Sequence, residues 1–269
     1  MRTARPQKSR RRNRLQSVQR ALTILSAFTH DEPKLGITEL SRRVHLTKSV
    51  VFRAVRTMLE AGFLEQDGAG MYRVGLRAFE VGSLYPLSAS LERAAIQPMQ
   101  DVANRHGHNV YLGVLEGRYV VYLATVDGGT PIRVHVAVGS RAHAHATAMG
   151  KVLLASLPPS ESRRLLTRRP LEKLTPRTVT DPERIEAQLA RIRKLGFAEN
   201  RGENFVVVSS VAAPVRDRSG NVIAAVSNAF VERQQSRAKW REFTGDLIAC
   251  AEAISLRLGV ATTNGTFRR

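Results

Sequence analysis

A single cysteine, Cys250, stands in 269 residues. No intrachain disulfide can form, and a metal cluster built on cysteines is excluded. No apolar run approaches the roughly 20 residues needed to cross a bilayer. No apolar stretch of the signal-peptide kind follows the basic N-terminus, so a cytoplasmic protein without a membrane partner is expected. The marks of common enzyme classes are missing too. Gly150-Lys151 is followed by Val152 rather than Ser or Thr, and no glycine lies five residues before Gly150, so it is not a phosphate-binding P-loop. No G-x-S-x-G nucleophile elbow occurs. Asp181, Glu183, Glu186 and Glu203 do not make a convincing acid/base pair, and Asp181-Pro182 reads instead as a helix start. A non-enzymatic protein without a cofactor is expected.

Acidic residues are scarce. The 42 Lys and Arg face 23 Asp and Glu, a formal net charge of +19. Such a chain attracts polyanions, of which nucleic acid is the commonest. Residues 1–90 hold 16 basic and 7 acidic residues, against 26 and 16 in the other 179, so net positive charge is nearly twice as dense in the N-terminal third. Residues 1–14 carry seven basic residues, no acidic ones and no usable core. They read as a disordered basic arm.

Hydrophobic periodicity then organises the chain. A first helix is expected over Leu15 to Phe28, with Val18, Leu22, Leu25 and Phe28 inward. A short helix, Thr38 to Val44, follows with Thr38 as its cap, and His45-Leu46 makes a tight turn. Thr47 caps a third helix, which runs to about Ala61 with Val51, Val55, Met58 and Leu59 on its apolar face and Gly62 just past its end. Phe63-Leu64 and Met71 to Val74 read as strands around the turn Asp67-Gly68-Ala69-Gly70. Residues 76–84 look helical, with Leu76, Phe79 and Leu84 on one side.

Three helices and a hairpin over residues 15–75 define a winged helix-turn-helix, whose third helix enters the major groove. The outer face of that helix offers Thr47, Lys48, Ser49, Val50, Phe52, Arg53 and Arg56, and the wing offers Arg73. Thr47 and Ser49 suit phosphate or base, an Arg suits guanine, and Val50 or Phe52 suits a thymine methyl. A three-helix protein-interaction module is the rival reading, but it needs neither the hairpin nor this density of basic residues.

From Leu91 the pattern changes. Helices are expected over Leu91 to Arg105, 147–156, about 159–166, 182–195 (Ile185, Leu189, Ile192 and Leu195 inward) and about 236–258. Strands are expected at Val110 to Leu115, Tyr119 to Val126, Ile132 to Val136, Phe205 to Ser209, Val211 to Val215 and Val222 to Ala229, the last two joined by a turn at Asp217 to Gly220. This is an α+β domain with a largely antiparallel sheet. Ala148, Met149 and Gly150 open a helix whose free N–H groups can hold a carboxylate. Ser210 and Ser227 lie on neighbouring strands. His143 and His145, with His135, raise a metal site, but zinc usually takes three or four ligands, so none is expected.

Several runs, in order, resemble the IclR family of bacterial transcription regulators: SVQRALTILSAF, GITELSRRVHLTKSVVFRAVRTMLEAGFLEQDGAGMYRVGLRAFEVGS, GSRAHAHATAMGKVLLASLP, LTPRTVTDPERIEAQLARIRKLGFAEN and VAAPVRDRSGNVIAAVSNAF. The resemblance covers nearly all of 15–258. It implies a two-domain chain: a winged helix-turn-helix, a linker helix over 76–90, a GAF-like effector-binding domain over 91–260 and a flexible tail over 261–269. It implies a homodimer or tetramer on palindromic operator DNA, acting as repressor or activator under a small-molecule effector. Family members that bind small carboxylic acids use two backbone amides matching Ala148 and Met149, an Asp at Asn200, a Cys at Ser210 and Ser at Ser227 and Ala229. Only Ser227 is kept here, so an effector larger and more apolar than glyoxylate or pyruvate is expected, such as an aromatic acid. A metabolic enzyme fused to a DNA anchor and a nucleoid-type protein without sequence preference are the rivals in other classes.

Overall fold

The computed structural model describes residues 15–129, 134, 136–231 and 237–260, with the backbone alone for 86–89 and 237. The chain divides into two compact units, Met1–Tyr85 and Pro86–Arg269. The expectations for residues 1–14, for the strand at 132–136 (save Val134 and Val136) and for the tail at 261–269 lie outside the described residues.

In the first unit, α1 (Gln16–Leu25), α2 (Ile37–Val44) and α3 (Lys48–Glu60) precede a hairpin of β1 (Leu64–Gln66) and β2 (Tyr72–Val74). Ile24, Leu40, Val51, Val55, Met58, Leu64 and Tyr72 form one buried core. The inner face of α1 differs from the expected one. Ile24 is its buried residue, with Ala21, Leu25 and Phe28 half-buried, while Val18 and Leu22 are exposed. The face that meets α3 therefore runs through 21, 24, 25 and 28, a quarter-turn away from the 18–22 stripe. Helix α2 begins one residue earlier than expected, with Gly36 rather than Thr38 in the cap position. Its far end is His45, a left-handed residue at φ 51°, and Ser41 Oγ donates to the Leu46 carbonyl to hold the turn into α3. Asp67 shapes the wing by accepting from the Ala69 and Met71 amides at 3.1 and 3.0 Å. Leu35 adds a bridge to Tyr72, with two backbone bonds of 2.9 Å.

The segment read as a linker helix over 76–90 is two helices. Helix α4 spans Leu76–Ser83, and α5 spans Pro86–His106, with Leu84 and Tyr85 between them. Proline fixes φ and lacks an N–H, so it starts a helix more readily than it continues one. Leu76 and Phe79 on α4 and Leu84 just after it are exposed.

The second unit is a six-stranded sheet in the order β5-β4-β3-β8-β7-β6, antiparallel at every pairing. Its strands are β3 (Val110–Glu116), β4 (Tyr119–Val126), β5 (Arg141–His143), β6 (Ala198–Arg201), β7 (Val208–Arg216) and β8 (Val222–Val231). One face packs against α5 and α9 (Arg237–Arg257) through a core including Met99, Leu112, Val226, Phe243 and Leu247. The other face packs against α6 (Ala148–Ser156), α7 (Pro159–Thr167) and α8 (Pro182–Leu195). Two expected strands, Phe205 to Ser209 and Val211 to Val215, are one strand in the structure, and 205–207 precede it as an exposed turn. Strand β6 was not expected; its AENR sequence alternates only weakly, and it is an edge. Ile185, Leu189 and Ile192 are buried as expected, but Leu195 is exposed where Gly196 ends α8.

Helix α6 sits unusually close to the sheet. A Cβ on Gly113 would lie 2.5 Å from Met149 Sδ, and one on Gly150 would lie 2.2 Å from the Ala144 carbonyl oxygen. Only glycine lets the start of α6 press onto β3 and onto the 3₁₀ turn Ala144–Ala146.

Candidate nucleic-acid interface and ligand cavity

Helix α3 follows from its sequence. Val51, Val55 and Met58 recur at helical spacing and are buried, which turns Lys48, Phe52, Arg53 and Arg56 to solvent. Thr47 occupies the cap position, but its side chain accepts no hydrogen bond. The first intrahelical bonds come from Val50 and Val51 to the Thr47 carbonyl at 3.0 Å. The amides of Lys48 and Ser49 are left open, as the first turn of a helix leaves them. Thr47 and Ser49 are exposed beside them and Val50 is half-buried.

Charge on this unit is already partly sorted. Arg42 and Arg43 clasp Glu39 on α2 and pull its carboxyl down to about 2. Lys34 pairs with Asp67 at 2.9 Å and Arg56 with Glu60 at 3.3 Å. Arg73 on the wing pairs with its cross-strand neighbour Glu65 at 2.7 Å. Lys48 and Arg53 make no ion pair among the described residues. They are the cations of the α3 face that stand ready for an outside anion, whereas Arg56 and Arg73 must exchange a carboxylate for one.

In the second unit, a cavity of about 470 Å³ of empty space, counted out to its mouth, lies over β6, β7, β8 and β3 at the start of α6. Strand register explains its lining. Asn200, Ser210 and Ala229 are partners in one row across β6, β7 and β8, and Ser227 and Tyr111 are partners in the next row. The six positions expected from the sequence (Ala148, Met149, Asn200, Ser210, Ser227 and Ala229) all line this one cavity. Thr147 Oγ1 accepts from the Gly150 amide at 3.1 Å, which leaves the amides of Ala148 and Met149 without a partner among the described residues. The Ser210 and Ser227 hydroxyls likewise make no hydrogen bond there, and Ser227 is only 6% exposed.

Asn200 behaves differently. Its Nδ2 donates to the Ala146 carbonyl and its Oδ1 accepts from the Glu203 amide at 3.1 Å. Both ends of the amide are occupied in tying the start of α6 to the loop after β6.

Several lining residues were not expected: Tyr111, Tyr122, Val134, Val136, Asn204, Phe205 and Val208. Tyr111 and Tyr122 meet edge to face at 5.9 Å and 72°. Burial pushes the Tyr122 phenol up to about 12 and that of Tyr111 above the ordinary range, so both are neutral rings. The Tyr111 hydroxyl donates to the Val134 carbonyl and is not free. Period-two alternation was the available signal for these tyrosines, but the pairing of β3 with β8, more than 100 residues apart, cannot be read from alternation.

Beneath the cavity lies a buried ion pair. Lys151, 2% exposed, bonds Glu203 Oε1. Burial holds its ammonium below the ordinary lysine range, and Glu203 opposes that shift. Glu203 Oε2 has no hydrogen-bond partner among the described residues. The other weighed carboxylates are structural: Asp181 caps α8 through the Glu183 amide at 2.9 Å, and Glu186 accepts from Ser162 Oγ at 2.9 Å. Glu172 engages both weighed histidines, His143 at 3.1 Å through its carboxylate and His145 through its carbonyl at 2.9 Å. His135 lies outside the described residues.

Comparison with known proteins decides what joins these two units. A family model for the IclR helix-turn-helix domain matches residues 17–68, and one for the bacterial transcriptional regulator IclR C-terminal region matches 85–256. The chain belongs to the IclR family of transcriptional regulators. It is 32% identical to the HTH-type transcriptional regulator XynR of Escherichia coli over 246 residues, covering 91% of this chain and 98% of that protein. It is also 32% identical over 244 residues to KdgR of the same organism, covering 90% and 92%. Among solved structures, an IclR homolog from Microbacterium hydrocarbonoxydans complexed with 4-hydroxybenzoate matches with a TM-score of 0.80, 28% identity and coverage of 90% and 98%. The Thermotoga maritima IclR matches with a TM-score of 0.71, 27% identity and coverage of 91% and 100%. This IclR-type chain is a DNA-binding transcriptional regulator with a C-terminal effector-binding domain, and the family is not enzymatic. No helix among the described residues is long and apolar enough to cross a membrane.

Proposed function

We propose that this protein is a cytoplasmic regulator that reads a palindromic operator with α3 and responds to an organic acid held at the start of α6. Thr47, Ser49 and the open amides of the first turn of α3 take phosphate. Lys48 and Arg53 supply charge and base contact, Val50 and Phe52 meet thymine methyls, and Arg56 and Arg73 reach the backbone once released from Glu60 and Glu65. In the second unit the amides of Ala148 and Met149 take the effector carboxylate. Ser210 and Ser227 bond its polar substituents, Ala229 adds an apolar wall, and Asn200 holds the surrounding backbone in place.

The observation that carries this reading is the convergence, in one cavity, of two open helix-start amides and two unpaired hydroxyls on mostly apolar walls. The 4-hydroxybenzoate in the Microbacterium hydrocarbonoxydans homolog supports an aromatic acid as effector here. The exposed Leu15 at the cap of α1 and Val18 and Leu22 within it support a homodimer, the state a palindrome requires, and a tetramer doubles it. Effector binding shifts the balance between two dimer geometries through residues 76–90, by the roughly 1–3 kcal/mol typical of coupled sites.

Selection from a random duplex pool tests the DNA half. Enrichment of an inverted repeat is expected, and the Arg53→Ala protein should lose preference at one base pair of each half-site. Enrichment of no sequence at all would favour the nucleoid-type alternative. Repeating the selection with benzoate present tests the response, and unchanged binding across benzoate-type acids would remove them as effectors.

A further inference from the structure

The loop between β6 and β7 has a buried, hydrogen-bonded base and an exposed apolar tip. Its base is bonded from four sides. The Gly202 amide donates to the Val208 carbonyl at 2.9 Å, and Thr175 Oγ1 donates to the Gly202 carbonyl at 2.7 Å. Thr178 Oγ1 donates to the Glu203 carbonyl at 2.6 Å, and Lys151 holds the Glu203 side chain. Gly202 sits at φ +74°, where a Cβ would meet the Val206 carbonyl oxygen at 2.7 Å, so the base keeps one shape. The tip is the reverse: Phe205, Val206 and Val207 are 55%, 53% and 56% exposed. Three consecutive apolar side chains in water are unfavourable unless something covers them.

Phe205 also lines the cavity, whose other walls include the rings of Tyr111 and Tyr122. The open polar groups among the described lining residues include the Ala148 and Met149 amides, the Tyr122 hydroxyl, the Asn204 side chain and the Ser210 and Ser227 hydroxyls, the last of these more than nine-tenths buried. A ligand with a carboxylate on those amides therefore places its remaining body between the two tyrosines and Phe205. Aromatic rings prefer edge-to-face and offset contacts, which a flat ring meets and a short chain does not.

We propose that Phe205 is a specificity-determining residue: it folds over a planar aromatic monocarboxylate and selects it against short 2-oxo acids. This rests on the carboxylate reading of the cavity given above. The tip projects from a base that Lys151 and the two threonines hold in place, so a change of the Phe205 side chain alone needs no rearrangement of the sheet.

Calorimetric titration of the full-length protein with benzoate and with pyruvate tests this. The wild type should bind benzoate at least about tenfold more tightly than pyruvate. Phe205→Ala should weaken benzoate by on the order of tenfold and leave pyruvate within about twofold, and Phe205→Tyr should restore benzoate. Phe205 is exposed, so Phe205→Ala should leave thermal stability unchanged; a lowered melting temperature with the benzoate-to-pyruvate ratio intact would overturn the proposal. A ratio unaffected by Phe205→Ala would overturn it while leaving the carboxylate reading in place, as would tighter binding of pyruvate by the wild type. Binding of neither acid, in a protein that still selects an operator, would overturn the carboxylate reading and this inference with it.

Discussion

Helices α3 and α6 start alike and end in opposite surroundings. Each follows a threonine in extended conformation, Thr47 or Thr147, and each opens with amides that no carbonyl takes up. Of the thirteen residues of α3 only Val51, Val55 and Met58 are buried, whereas eight of the nine in α6 are. The surroundings decide what such amides can recognise. On α3 they face water among mobile cations, where an anion is held by charge and loses affinity with salt. On α6 they face a cavity among rings and small side chains, where an anion is chosen by shape and by the hydrogen bonds it completes. The threonines mark the same contrast. Thr47 makes no cap bond with its hydroxyl, while Thr147 uses its own on Gly150.

Burial weighs most heavily at Lys151. Lys151→Ala strands Glu203 in the interior and should destabilise the second unit by about 3–5 kcal/mol. The exposed pair on α3 is the control: Arg56→Ala should cost at most about 1 kcal/mol. A Lys151→Met, Glu203→Leu double variant should recover most of the loss in denaturant titrations. Equal losses for the Lys151 and Arg56 variants would break the comparison.

Next comes space at the third helical residue. Gly150→Ala drives a Cβ into the Ala144 carbonyl and should cost on the order of 3 kcal/mol. Val50→Ala at the equivalent place in α3 should stay within about 1 kcal/mol. Calorimetric melting of the two variants side by side would show a single shifted transition for Gly150→Ala. In DNA binding, Arg53→Ala should lose roughly 1–3 kcal/mol of discrimination at one base pair. Lys48→Ala should weaken all sequences alike and lower the salt slope by about 1. Exchange of these two phenotypes would place the base contact on Lys48.

The last test concerns pH. Burial raises Tyr122 from an ordinary value of 10 to about 12, so its proton is held more tightly in the folded chain. That contribution to stability is complete below pH 10 and disappears as pH rises from about 10 to 12. The melting temperature of the wild type should therefore fall relative to that of Tyr122→Phe as pH rises through that window. A constant difference through it would mean that Tyr122 titrates normally.

Much of the fold was legible because local rules agreed with the tertiary structure. The helix start at Asp181, the turns at Asp67 and Asp217 and the apolar face of α3 each carry their own signal. Misreadings came where a partner overrode local pattern. The stripe of Val18 and Leu22 is as apolar as the 21–24–25–28 face, and only α3 distinguishes them. Phe205 to Val207 has strand composition but sits on a turn forced by Gly202. The cavity was half legible. Its amides and serines were read from a helix start and neighbouring strands, Asn200 and Ala229 from the resemblance to the family, and the structure brings all six expected positions together. Tyr111 and Tyr122 depend on sheet order, and the Lys151–Glu203 pair spans 52 residues, so neither leaves a mark in any local window.

On the proposed reading, the charge of this chain serves recognition of a sequence and does not merely coat DNA. Fluorescence anisotropy with the duplex recovered by selection, against a scrambled duplex of equal length, tests it at about 0.15 M salt. Tighter binding to the selected duplex by at least about 10³-fold is the expected result. A ratio near one across a salt series would contradict it and leave a basic protein that binds DNA by charge alone.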